Sequence, residues 1–183
     1  MRTYQNSREK LLQAAEQVVM EMGAAHMTLD AVARKAGVSK GGLIHNFSTK
    51  DALLKAMVAR LLAAWKKRYE LAAHDFPDSP AGKLKAQLVS QLAVDEQSRR
   101  VSVALLAVAA NQPQLLEPVR KHIRQMHEAL AELGLDSDLA AVLLLAADGL
   151  YMQELLGLSQ FTAHQRKSFV EQLLHLADVA ARR

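Results

Sequence analysis

The sequence predicts an all-α protein of about nine helices, with an N-terminal three-helix helix-turn-helix domain and a larger C-terminal helical body. Composition is the first reason. Half of the 183 residues are hydrophobic but only 4% are aromatic, and there are just eight Gly and four Pro. A chain rich in Ala, Leu, Gln, Lys and Arg and poor in turn-formers favours helix. The second reason is periodicity, since apolar residues recur every three or four positions along most of the chain. The third is punctuation, with Gly stops and Ser, Thr or Asp starts at helix-length intervals.

Taken in order, Leu11, Leu12, Ala15, Val18, Val19 and Met22 make one helical face from Ser7, and Gly23 ends it. Thr28 stands at an N-cap before Leu29, Val32 and Ala36, with Gly37 as the next stop, and Ser39 caps a short segment to Asn46. Thr49 opens a long helix through Leu53, Leu54, Met57, Val58, Leu61, Leu62 and Trp65 to Ala73. Residues 75–82 (D-F-P-D-S-P-A-G) are the densest turn signal in the chain. Periodicity resumes at Leu84, Leu88 and Leu92, fades over residues 95–100, returns over 101–111 and stops before Pro113. Further helices are expected over residues 115–133, 139–156 and 162–181, punctuated by Gly134, Asp136 or Ser137, Gly157 and Thr162. Domains are expected at 1–50 and 51–183.

Charge is uneven. Residues 1–50 carry seven cations against four anions, so +3 of the net +4 sits in the first quarter. A basic head on a nearly neutral body suits a polyanion-binding module. Other classes drop out. Without cysteine there is no disulfide framework, thiol nucleophile or thiolate metal site. His122 and His127 are five apart, which does not fit H-E-x-x-H, and no G-x-S-x-G turn or Gly-rich phosphate loop occurs. No enzyme, cofactor or metal is therefore expected. Residues 2–10 are polar, unlike a signal peptide, and the longest uncharged apolar run, 139–147, falls short of the roughly 18 residues of a membrane span. A cytoplasmic protein with no membrane partner is expected.

The informative unit is residues 28–47, T-L-D-A-V-A-R-K-A-G-V-S-K-G-G-L-I-H-N-F. Two helices joined by a short turn containing Gly form a helix-turn-helix, whose second helix enters the DNA major groove. Ala33 lets the helices approach, Gly37 accepts a left-handed turn and Val38 fills the angle between them. Leu43 and Phe47 anchor the second helix. That leaves Lys40, Gly41, Gly42, Ile44, His45 and Asn46 on the exposed side, with Lys40 aimed at bases or phosphates. Thr28 and Ser39, at helix N-termini, can meet phosphates, and Gly41–Gly42 lets the backbone come close to DNA.

At these residues the chain resembles the TetR family of bacterial transcriptional regulators. The match runs through Arg8, Leu12, Ala14, Ala15, Gly23, Thr28, Val32, Ala33, Ala36-Gly37-Val38-Ser39, Gly41, Leu43, Phe47, Lys50 and Leu53, covering about residues 7–60. It implies a homodimer with an N-terminal DNA-binding domain and a C-terminal ligand-sensing domain, in which the last two helices build a four-helix bundle with their partners. It also implies a phosphate contact for Lys50. Where the family often has Tyr, one residue, then His-Phe, this chain has Ile44, His45, Asn46, Phe47. The family's Tyr and His reach the DNA backbone. Ile44 donates no hydrogen bond, which leaves part of that role to His45 or Asn46.

The body is read more coarsely. Residues 139–158 are apolar on nearly every face, and with Phe169, Leu173, Leu174, Leu176 and Val179 they form the candidate dimer interface. Asp148 is the odd residue there. It has three open roles: meeting a ligand amine, pairing across the dimer, or facing solvent. Trp65, Tyr69, Gln91, His122, Met126, Tyr151 and Met152 are the other candidate pocket residues, with ordinary core packing the competing role for each. The expectation is a homodimeric repressor that binds a double-stranded operator and is released by a small-molecule effector, hydrophobic or weakly cationic. The alternative is an activator, or a helical interaction protein controlled by a protein partner.

Overall fold

Most helix starts fall where a capping side chain puts them. In the computed structural model, which describes residues 2–23, 26–110 and 112–182, the helices are α1 (Arg2–Met22), α2 (Leu29–Ala36), α3 (Lys40–Asn46), α4 (Lys50–Ala73), α5 (Pro80–Leu92), α6 (Glu96–Ala109), α7 (Glu117–Ala131), α8 (Ser137–Leu155) and α9 (Ala163–Ala180). The fold is all-helical, as expected, with no strand among the described residues. Thr28, Ser39, Ser79, Asp136 and Thr162 each accept a backbone N–H from the first turn of the helix they open, and Thr162 forms a reciprocal capping box with Gln165. Gly37 has φ 64°, the left-handed conformation that ends α2 and turns the chain into α3.

Three boundaries differ from the periodicity reading. α1 starts at Arg2, ahead of Ser7, because a helix extends past its apolar stripe as long as nothing breaks it. α6 starts at Glu96, inside the span where periodicity fades. Its first turn is polar and begins with Glu96, which suits the positive end of the helix dipole, and the first buried side chain among those described is Val101. The helix expected over 115–133 splits into a 3-10 turn (Pro113–Leu116) and α7. Pro118 lacks an N–H, and α7 places it in its first turn, where no intrahelical partner is needed. The expected end at Asn111 lies outside the described residues.

The chain divides into two compact units, one of residues 1–61 and 96–119 and the other of 62–95 and 120–183. α4 carries residues of both. In the first unit Leu11, Val18, Val32, Leu43, Leu53 and Met57 are among the buried side chains. Arg60 of α4 pairs with Glu9 (2.9 Å) and with the buried Glu16 (3.6 Å) of α1. In the second unit α5 packs against both α8 and α9, around Leu84, Leu88, Leu143, Leu144, Leu173 and Ala177. Arg166 of α9 pairs with Glu154 of α8, and its Nη2 donates to the Leu92 carbonyl (2.9 Å) at the end of α5. One guanidinium thus joins three helices.

Two glycines should respond oppositely to the same change. A Cβ on Gly82 would run into the Pro77 carbonyl oxygen of the preceding turn, whereas one on Gly41 meets nothing within 4 Å. Gly82→Ala should cost about 1–3 kcal/mol through a forced shift of that turn. Gly41→Ala should stabilise by roughly 0.5–1 kcal/mol, as for any exposed helical glycine. Denaturant midpoints of the two variants check both signs.

Candidate nucleic-acid interface

α3 is seven residues long and contains Gly41 and Gly42, so it is a poor helix by itself. It is held from one side. Leu43 is fully buried, and Phe47, also buried, donates its N–H to the Leu43 carbonyl (2.8 Å) to close the last turn. The Arg8 guanidinium of α1 lies 4.5 Å from the centre of the Phe47 ring, a cation–π contact that ties α3 to α1. Ser39 Oγ accepts the Gly42 N–H (3.1 Å) at the other end.

With Leu43 and Phe47 inward, Lys40, Gly41, Gly42, Ile44 and His45 are exposed, as are Thr28 and Ser39, while Lys50 is partly exposed. Thr28 Oγ1 accepts the Ala31 N–H (3.1 Å), so its hydroxyl hydrogen remains to donate elsewhere. Asn46 is placed differently from the rest. It is half-buried, its Nδ2 donates to the Gly42 carbonyl (2.9 Å), and its Oδ1 is buried without a protein partner. Two partners were not visible in the sequence. Lys40 Nζ pairs with Asp30 of α2 (3.0 Å), and Arg8 stacks on Phe47. Asp30 and Lys40 are ten residues apart across a turn, so no helical i,i+4 rule points to the pair.

The candidate pocket residues all belong to the second unit. Trp65 of α4 meets His122 of α7 at 5.9 Å between ring centres, inclined at 50°. Gln91 of α5 donates Nε2 to Asp148 Oδ1 of α8 (3.2 Å), while its own Oε1 is buried without a partner. Met126 and Tyr151 pack on the α5–α8–α9 core, and the Tyr151 hydroxyl is buried and unpaired. Tyr69 is half-buried on α4. Met152 is not brought into this group, being exposed on an outer face of α8. Arg68, one turn after Trp65, was missed by the sequence reading. Burial lowers its guanidinium pKa, Asp95 and Tyr151 act in the opposite sense, and its Nε donates to the Ser90 carbonyl (3.4 Å). Its position on the inner face of α4 was the available signal.

Asp148 stands at the edge of the packed side of α8, open to solvent on one side. Desolvation on the other raises its carboxyl pKa above the usual range, opposed by the charge of His127. Burial lowers the His122 pKa below that of a free imidazole. The folded state therefore disfavours protonated His122, and its contribution to stability is lost as pH falls through the ordinary His range. Between about pH 7.5 and 5.5 the melting temperature of His122→Phe should fall less than that of the unsubstituted protein. Phe keeps a ring against Trp65, so a parallel fall in both proteins would remove His122 from the acid response.

Comparisons with known proteins agree with this geometry. Residues 11–57 match the model of bacterial regulatory proteins of the tetR family, and residues 81–178 match that of the tetracyclin repressor-like C-terminal domain. The HTH-type transcriptional regulator BetI of Stenotrophomonas maltophilia is 29% identical over 67% of this chain and 64% of its own length. BetI of Pseudomonas aeruginosa is 30% identical over 80% of each chain. Among solved structures, a transcriptional regulator from Rhodococcus sp. Rha1 superposes with TM-score 0.67 at 28% identity, covering 95% of this chain and 93% of that one. The multidrug binding protein EbrR, complexed with imidazole, gives 0.65 at 25%, covering 92% and 88%. No helix among the described residues is long and apolar enough to cross a membrane. Helix order, turn geometry and sequence similarity agree that the chain belongs to the tetR family of bacterial regulatory proteins, as a DNA-binding helix-turn-helix regulator of transcription.

Proposed function

We propose that the protein is a cytoplasmic homodimeric repressor without catalytic activity, held on its operator by residues 1–50 and released when a small molecule binds within residues 51–183. The observation that carries the DNA-binding half is the outward face of α3, where Lys40, Gly41, Gly42, Ile44 and His45 are all exposed on a helix anchored from behind by Leu43 and Phe47. Lys40 and Ile44 face base edges. Thr28, Ser39, His45 and Lys50 contact phosphates, which supply most of the affinity, and Asn46 keeps the last turn of α3 in shape.

The dimer rests on two uncharged rows. On α8 and its C-cap, Val142, Leu145, Gly149, Met152 and Leu156 follow one another at spacings of three or four, and Leu145 is 67% exposed. On α9, Phe169, Gln172, Leu176 and Val179 repeat the pattern. Uncharged, largely apolar rows this long are normally covered, and a second copy covers them by an isologous contact. Operator binding then needs the two α3 helices about 34–36 Å apart, in successive major grooves.

Effector control is supported by the second unit, where Trp65, His122, Gln91, Asp148 and Tyr151 combine aromatic surface with unpaired buried oxygens. EbrR, whose structure holds imidazole, is a ligand-binding relative. Because α4 runs unbroken from Lys50 to Ala73, a ligand that moves Trp65 or Tyr69 acts on the helix that carries Lys50. Operator affinity falls by the ligand's differential affinity for the two conformers and no further.

The deciding measurement titrates the protein against genomic fragments, including DNA flanking its own gene, at two salt concentrations. Tight and selective binding that survives the higher salt is expected, and uniformly weak, fully salt-sensitive binding would sink the regulator. Lys40→Ala should weaken operator binding by about 1–3 kcal/mol. Leu145→Glu should give monomers in sedimentation and lose operator binding with them. A footprint over the promoter core supports repression, and one upstream of it would mean activation.

A further inference from the structure

Ile44 is the anomaly of the proposed DNA-binding surface. It is 43% exposed in the middle of α3, among Lys40, two glycines and His45. An aliphatic side chain gains nothing by facing water and cannot bond to a phosphate, so neither solvent nor the DNA backbone accounts for it. The floor of the major groove offers one apolar feature, the C5-methyl group of thymine. Three local facts suit that partner. Ile44 follows Lys40 by one turn, so the two lie in one row on the outward side of α3. Gly41 and Gly42 put no side chain between the helix backbone and the groove. A β-branched side chain in a helix is almost confined to one rotamer, so it meets a methyl group with little entropy left to lose.

Resting on the operator-binding reading above, we propose that Ile44 reads a thymine C5-methyl in each operator half-site. The row spacing sets the register. Four residues advance about 6 Å along a helix, which is one or two steps of about 3.4 Å along the duplex. The thymine therefore lies one or two base pairs from the pair contacted by Lys40.

The test begins with operators selected from a random duplex pool by the unsubstituted protein. Each thymine is then replaced singly by deoxyuridine, which keeps the pairing and removes only the methyl. One position per half-site should lose affinity about fourfold, the equivalent of one apolar carbon withdrawn from contact, and about 16-fold when both half-sites are changed. Ile44→Ala should bind the thymine operator as weakly as the unsubstituted protein binds the deoxyuridine one, and should not distinguish thymine from deoxyuridine there. Ile44→Val should keep part of the discrimination. Since Ile44 is exposed, these variants should melt like the unsubstituted protein. Tolerance of deoxyuridine at every position, or full methyl discrimination by Ile44→Ala, would overturn the assignment while leaving operator binding intact. A pool with no enriched sequence would instead overturn operator binding, and the Ile44 role with it.

Discussion

The surface this protein presents to DNA depends on a helix that cannot stand by itself. Seven residues are fewer than an isolated helix needs, and two adjacent glycines cost it a further 2 kcal/mol or so. Burial of Leu43 supplies about as much in return, and Phe47 and the Ser39 cap close the two ends. α3 is therefore a helix by virtue of its tertiary contacts. Arg8 belongs to the same support, because its stack on Phe47 joins the end of α3 to α1. Only the inward side of α3 is needed for this support. Its outward residues take no part in that support, and Ile44 is one of them.

The second unit divides its polar groups into two kinds. Arg166, Glu154 and the Leu92 carbonyl satisfy one another where α5, α8 and α9 meet, and Lys85 pairs with Asp178 between α5 and α9 (2.6 Å). Gln91 Oε1 and the Tyr151 hydroxyl are buried and left over. An unpaired buried oxygen costs on the order of 1–3 kcal/mol, so a chain that could pair its helix junctions well has still left these two unpaired. The Asp148 carboxylate, by contrast, has a partner in the Gln91 amide.

Much of this was legible in the sequence, and the unread part has a common physical cause. Short-range rules located the caps at Thr28, Ser39 and Thr162, the turn at Gly37, and the inward roles of Leu43 and Phe47, because each depends on residues within one helical turn. Helix starts lacking an apolar stripe, as in α6, escaped because periodicity reports burial and not backbone conformation. Partners brought together from distant elements escaped for a different reason. Asp30 with Lys40, Arg8 with Phe47 and Gln91 with Asp148 are set by helix packing, which no spacing in the chain encodes. Met152 was grouped with the pocket by residue type alone, whereas its place on the helix puts it in the exposed row of α8.

The Lys40–Asp30 pair shows how such a long-range contact bears on recognition. Both side chains are well exposed, and an exposed pair is worth under about 1 kcal/mol, so it cannot lock the lysine away from DNA. It does limit where the ammonium group spends its time, holding a flexible four-carbon chain over α2 at the entrance to α3. A phosphate or a guanine edge competes easily with one exposed carboxylate. Asp30 itself stands in the first turn of α2, where its charge serves the positive end of that helix.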